Sequence, residues 1–188
     1  MYTAIIFDFF DVIRTDAYKS WLALHDYKLE GEFLSAVQKQ DRGEIDVDEF
    51  LAILSELTGQ KAQEILAEME AGTTINYEVL DLAETLRKHY KIGLLSNAPK
   101  GFLRSLLQEH GLEKYFDEIV ISSEVGLIKP DAEMFHHILQ KMGAQPANVV
   151  FIDDSPKNIN GAAAVGITGV LFTDIKQLKT DLGVLGLR

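Results

Sequence analysis

The 188-residue chain contains no cysteine. Disulfides, thiolate metal sites and cysteine nucleophiles are therefore excluded. A cysteine-free composition fits a reducing compartment, and a cytoplasmic protein is expected. No apolar run approaches the length of a membrane span. The N-terminus lacks the basic segment followed by an apolar one that marks a secretory signal. Positive charge is also scarce, with 18 Lys and Arg against 29 Asp and Glu and a formal net charge of −11. Such a surface repels polyanions, so neither nucleic acid nor an anionic membrane is expected as a partner. A small anionic substrate stays possible where a few Lys and Asn residues make a pocket locally attractive. There is no internal repeat, no low-complexity tract and no Pro/Gly/Ser-rich linker. Any domain boundary must therefore be read from a change in the kind of secondary structure.

Five short apolar runs are present: Ala4–Phe9, Ile92–Leu95, Ile119–Ile121, Val149–Ile152 and Val170–Phe172. Their apolar character is continuous rather than alternating, which suits parallel strands covered on both faces. Helical spacing of apolar residues lies between them, over 77–88, 101–110, 133–142, 158–165 and 175–182. The alternation predicts an α/β fold, a doubly wound parallel five-stranded sheet of Rossmann-like type. One interval breaks the rhythm. After the first strand about 60 residues contain no good strand, and a structureless loop of that length is improbable. They read as helices near 20–25, 32–39, 47–58 and 61–69, the third opened by an Asp46/Glu49 capping box. The expected organisation is a core of residues 1–14 and 76–188 with a small helical cap inserted at 15–75. Trp21 and Tyr27 are expected in the core of that cap.

Ligands of a doubly wound sheet bind beyond the carboxyl ends of its strands. Asp8 follows the first apolar run, Ser96-Asn97 the second and Asp153-Asp154-Ser155 the fourth; Lys129-Pro130 lies some residues after the third. Read singly, each piece has an ordinary explanation. Ser96-Asn97 makes a turn, Lys129 is a loop lysine, and Asp153, Asp154 or Ser155 caps a helix. Taken together they are more informative. Asp8, Asp153 and Asp154 would hold like charges close together, which is unfavourable without a cation. Mg²⁺ prefers oxygen ligands and takes one or two carboxylates with waters and substrate phosphate. Lys129, Ser96 and Asn97 could bind the other phosphate oxygens, leaving Asp8 to attack phosphorus.

With Phe7-Asp8-Phe9-Phe10, Leu94-Leu95-Ser96-Asn97, Lys129-Pro130 and Phe151-Ile152-Asp153-Asp154-Ser155 in this order, followed by Asn158 and Gly161-Ala162, the chain resembles the haloacid dehalogenase superfamily. It is most similar to its sugar-phosphate phosphatase-like members with a small helical cap. The resemblance implies that Asp8 is the nucleophile and Lys129 the cation that steadies it. It implies phosphate contacts from Ser96, Asn97 and Lys129. It also implies Mg²⁺ held by Asp8, Asp154 and the main-chain carbonyl of Phe10, with Asp153 as a second or outer carboxylate. The expected substrate is a small phosphorylated metabolite.

Phe10 departs from the pattern. Phosphatases of the family carry Asp there, which protonates the leaving oxygen and then activates water. Such help is worth about 10²–10⁴-fold. Three readings follow: an Mg²⁺-dependent phosphatase in which water or a cap residue replaces the acid, a metal-independent 2-haloacid dehalogenase, or a non-catalytic phosphometabolite-binding protein. Dehalogenases of the family have small polar residues where this chain has Asp153-Asp154, so the phosphatase reading is preferred. Asp11 also departs, but Asp tolerates the left-handed turn expected there; Asp11 as a displaced acid is a lesser reading. A calcium loop near Gly43-Glu44-Ile45 is rejected, because Gln38, Gln40 and Arg42 stand where acids are needed. His25, His89, His110, His136 and His137 show no metal-ligand spacing.

Overall fold

The five apolar runs form one parallel sheet in the order β3-β2-β1-β4-β5. The strands are β1 (Ala4–Phe7), β2 (Lys91–Ser96), β3 (Glu118–Ile121), β4 (Val149–Asp153) and β5 (Thr168–Leu171). The computed structural model describes residues 1–71 and 73–187. In β1 all four residues are buried. Ile5 and Phe7 pack into one apolar cluster while Ala4 and Ile6 pack into another. That two-residue alternation is the strand pleat dividing its side chains between two helical layers. On one face lie α5 (Tyr77–Leu86), α6 (Phe102–Glu109) and α10 (Ile175–Val184), through residues such as Leu80, Leu107 and Leu178. On the other lie α8 (Ala132–Met142) and α9 (Pro156–Ala164), through Phe135, Ile138 and Ala162.

Four cap helices stand between β1 and α5: α1 (Ala17–Leu24), α2 (Gly31–Asp41), α3 (Val47–Thr58) and α4 (Ala62–Ala71). They close around their own core of Trp21, Leu22, Ala36, Phe50, Leu51, Leu54, Ile65 and Met69. Tyr27 packs at the edge of that core, with its ring 5.4 Å from that of Trp21. The expected Asp46/Glu49 capping box opens α3. The chain enters and leaves the cap side by side. Asn76 N–H donates to the Ile13 carbonyl at 2.7 Å, and Thr15 N–H to the Thr74 carbonyl at 3.1 Å.

Local differences from the expected elements have physical causes. β1 ends at Phe7 rather than Phe9, because the chain turns after Asp8 N–H makes its bond to the Ile152 carbonyl. The Phe9 carbonyl then accepts from both Ile13 and Arg14 N–H, and Asp11 takes φ 58°. β5 starts at Thr168, two residues earlier than its apolar run, because Thr168 and Gly169 pair with Val150 and Phe151 of β4, the glycine leaving room for Ile159 of α9. A one-turn helix, α7 (Ser122–Val125), follows β3 directly. Its four residues are too few to show a helical period.

Candidate active site

Lys129 and Asp8 meet beyond the carboxyl end of the sheet. The Lys129 ammonium lies 2.7 Å from Asp8 Oδ1 and 2.7 Å from Asp153 Oδ2. All three residues are buried. Burial works against the charge on Lys129, yet Asp153 and Asp8 outweigh it and raise its pKa. Burial likewise opposes ionisation of Asp153, but Lys129 and the Ser155 amide hold that carboxyl below its ordinary range. Asp8 goes the other way: burial lifts its pKa, Asp153 adds to the lift, and Lys129 only partly offsets it.

Each group is held from behind. Asp8 Oδ1 accepts from Phe9 N–H at 2.6 Å. Asp153 accepts from Ser155 N–H at 2.8 Å and from the Asn158 amide at 3.0 and 3.1 Å, so both of its oxygens are engaged. The Asn97 side chain is engaged too. Its amide donates to the Lys129 carbonyl at 3.1 Å, and its oxygen accepts from Lys129 N–H at 2.8 Å. Behind Lys129, α9 packs so closely that a Cβ on Gly161 would lie 2.6 Å from the Pro130 carbonyl oxygen. Only glycine permits that approach.

The expected site residues separate into those that meet and one that stands apart. Asp8, Phe10, Asn97, Lys129 and Asp154 line one cavity of about 470 Å³ between core and cap. Asp153 lies just behind it, with Lys129 on its carboxylate. Ser96 is fully buried at the end of β2, does not line the cavity, and has only a long 3.4 Å contact from its hydroxyl to the Asn97 carbonyl. The Phe10 ring lies in the cavity wall, 5.3 Å from Phe9 edge-on and 6.5 Å from Phe102 in a stack. Asp11 lines a separate depression rather than this cavity, with one carboxylate oxygen on Asp16 N–H and the other on the Lys19 ammonium, both at 2.8 Å.

Carboxylate oxygens of Asp8, Asp153 and Asp154 lie within 4.8 Å of one another. These are hard oxygen donors of the kind Mg²⁺ takes. Two ammonium groups touch this trio, Lys129 on Asp8 and Asp153 and Lys19 on Asp154. The residues present fit a divalent cation.

Several groups here carried no sequence signal. Lys19 of α1 reaches from the cap to Asp154 Oδ2 at 2.8 Å across 135 residues of chain. Asp16 caps α1, and Asp41 ends α2; both line the cavity. Spacing along the chain cannot encode contacts of that range. The N-cap role of Asp16 was open to reading, since an Asp just before a helical run is a start signal.

A family model described as haloacid dehalogenase-like hydrolase matches residues 2–166. The chain belongs to that family. It is 27% identical to the sesquiterpene phosphatase astK of Aspergillus oryzae, over 92% of this chain and 91% of that protein. Other curated relatives match over only 21% to 51% of their own length, the phosphoglycolate phosphatase of Escherichia coli at 29% identity over 51%. The HAD-family enzyme BT-2542 of Bacteroides thetaiotaomicron, solved as a magnesium complex, superposes with TM-score 0.74 at 25% identity, over 95% of this chain and 98% of that one. An L-2-haloacid dehalogenase of Xanthobacter autotrophicus superposes with TM-score 0.66 at 17% identity, over 100% and 85% of the two chains. The HAD fold is thus common to phosphatases and dehalogenases, and only the site residues can separate them. No helix among the described residues is long and apolar enough to cross a membrane.

Proposed function

We propose that this HAD-like hydrolase is a Mg²⁺-dependent phosphomonoesterase that passes the phosphoryl group through Asp8. The observation that carries this reading is the buried Lys129 ammonium shared by Asp8 and Asp153 at 2.7 Å each, beside the oxygen cluster completed by Asp154. Lys129 orients Asp8 and offsets charge on the transferring phosphoryl oxygens. Asp153 serves through Lys129, because its oxygens are taken up by Lys129, Ser155 and Asn158. Asn97 fixes the Lys129 main chain at the cavity wall. Asp8, Asp154 and the Phe10 carbonyl would hold Mg²⁺, which when bound neutralises charge on the transferring phosphoryl group. The oxygen cluster also weighs against metal-independent dehalogenation, since acids facing Asp8 without a cation hinder its ionisation. The similarity to a full-length phosphatase relative supports the same reading. We also propose domain boundaries at 14/15 and 75/76, where the paired segments Ile13–Thr15 and Thr74–Asn76 join core and cap.

Phosphate release from 4-nitrophenyl phosphate, with Mg²⁺ and with chelator, tests the reading. Turnover that needs Mg²⁺ and is lost in Asp8→Asn is expected. Turnover indifferent to chelation, or chloride release from 2-chloropropionate without metal, overturns it.

A further inference from the structure

We propose that the alcohol portion of the substrate is an extended hydrocarbon rather than a sugar. This rests on the phosphomonoesterase reading and names the substrate class of the same site. The cavity has a polarity gradient. Its core end presents Asp8, Asn97 and Lys129, while α2 lines it with Leu34 and Val37 and then with Gln38, Gln40 and Asp41. Asp41 lies seven positions after Leu34 on α2, which is about 10 Å along the axis. The polar end of α2 is the one docked on the core, where the Ser122 hydroxyl donates to the Asp41 carbonyl. Beyond that end the wall is mainly apolar, with Arg14 over the Phe102 ring and Glu70 as its charged members. Leu29, Leu34 and Leu66 are 40%, 37% and 36% exposed, and all three line this cavity. Phe10, where the family's phosphatases carry Asp, continues the apolar wall through its stack on Phe102. An apolar pocket with a few polar groups at one end suits an amphiphile. Sugar hydroxyls set against leucine would lose their hydrogen bonds to water without replacement.

A series of n-alkyl phosphates from ethyl to octyl, with glucose 6-phosphate and glycerol phosphate alongside, tests this. About a fourfold rise in kcat/KM per methylene is expected until the cavity is filled. Leu34→Asp and Leu66→Asp, both at exposed positions, should shrink the octyl-to-ethyl ratio at least tenfold. A flat series, a preference for the sugar phosphate, or a ratio unchanged in both variants overturns the hydrocarbon assignment alone. A wild type that releases phosphate from none of these esters, nor from 4-nitrophenyl phosphate, overturns the reading beneath it.

The cap also brings a carboxylate to the reacting end of the cavity. We infer that Asp41 is the catalytic acid–base that stands in for the missing Asp at position 10. The C-terminus of α2 is latched to the core. Ser122 Oγ accepts from Ala98 N–H at 2.9 Å and donates to the Asp41 carbonyl. Gly43, at φ 73°, approaches so closely that a Cβ would lie 3.0 Å from the Ser123 carbonyl oxygen. The latch holds the Asp41 side chain in the wall that Asp8 and Lys129 share. Among the described residues the Asp41 carboxylate has no ion-pair partner. Asp11 is tied to Lys19 and Asp16 to the N–H groups of Tyr18 and Lys19, while Glu70 and Asp131, the further carboxylates of the lining, are exposed to solvent. The charged groups around Asp41 are Asp16, Lys129 and Arg42. Burial and then the Asp16 charge push its pKa up to about 7, while Lys129 and Arg42 pull it down. It can therefore both donate and accept a proton near neutrality.

In the first step Asp8 Oδ bonds to phosphorus, the bond from phosphorus to the alcohol oxygen breaks, and Asp41 gives that oxygen its proton. In the second, Asp41 takes a proton from water as the water oxygen bonds to phosphorus. The bond to Asp8 breaks, phosphate leaves, and both carboxyl groups return to their starting states. Asp41→Asn should lower kcat for ethyl phosphate by about 10²–10⁴-fold. Its loss on 4-nitrophenyl phosphate, whose anion leaves without a proton, should be far smaller, and this activity also reports that the variant is folded. The limb of the ethyl phosphate pH profile near 7 should disappear. Equal losses on the two esters, or an unaltered limb, overturn the role of Asp41. Wild-type inactivity on both esters instead overturns the phosphatase reading.

Discussion

The core wall of the cavity and its cap wall are built on opposite terms. On the core side nearly every polar group is answered: Lys129 by two carboxylates, Asp153 by three donors, Asn97 by both ends of the Lys129 main chain. On the cap side, among the described residues, Asp41 has no ion-pair partner and three leucines stand partly exposed. Groups that must hold one geometry through a reaction are fixed by their neighbours. Groups that meet a variable substrate are left free to do so. The core wall therefore reads as the part that would receive the phosphoryl group, and the cap wall as the part that would meet the alcohol, through its leucines and through Asp41.

The sharpest way to break the core wall is Lys129→Met. Removing the cation leaves Asp8 and Asp153 buried and uncompensated, so a loss of about 3–5 kcal/mol is expected in denaturant unfolding, with turnover gone. An unfolding midpoint close to wild type would contradict the picture of a fully paired core. Gly161→Ala should act in the same direction more mildly. Its methyl group meets the Pro130 carbonyl, and a cost of about 1–3 kcal/mol is expected. Its kcat should fall along with its stability, because Lys129 is displaced with Pro130.

The cap wall should respond in the opposite sense. A carboxyl with a folded pKa of about 7 and an ordinary value of 3.8 binds more protons folded than unfolded between those limits. Its effect on stability is therefore absent below about pH 4, grows unfavourable as pH rises through that window, and is complete above pH 7. Asp41→Asn should consequently match wild-type Tm near pH 4 and exceed it at pH 8. A variant that loses function while gaining stability would set the two walls apart as no core substitution can. The smallest effect is expected at Lys19, whose pair with Asp154 is half-exposed. Lys19→Met should change stability by about 1 kcal/mol or less. It should also tighten Mg²⁺ binding by calorimetric titration, because it frees an oxygen of Asp154.

The same division explains what could be read from the chain. The strands were legible because buried parallel strands are apolar throughout, as Ile5-Ile6-Phe7 and Val149–Ile152 are. Asp8, Asn97, Lys129, Asp153 and Asp154 were legible because a parallel sheet gathers whatever follows its strands. Ser96 shows the limit of that rule. It ends β2 as expected, but the strand pleat turns its hydroxyl inward, away from the cavity. The latch from Ser122 to Asp41 spans 81 residues, and no local pattern announces it. Whether a leucine of α2 or α4 faces the cap core or the cavity depends on how four helices close around Trp21. The helical period of each one alone does not decide that.

The paired segments that join cap to core have one more consequence. Ile13 and Asn76 are hydrogen-bonded neighbours, so the sixty or so residues between them leave and return at one point. Seen from the sheet, the whole cap occupies the footprint of a hairpin turn. Closing a chain costs entropy only as the logarithm of loop length, so an insertion of this size burdens the sheet little more than a short loop would. The cap can accordingly be enlarged, shortened or exchanged while β1 and α5, and with them the position of Asp8, keep their places.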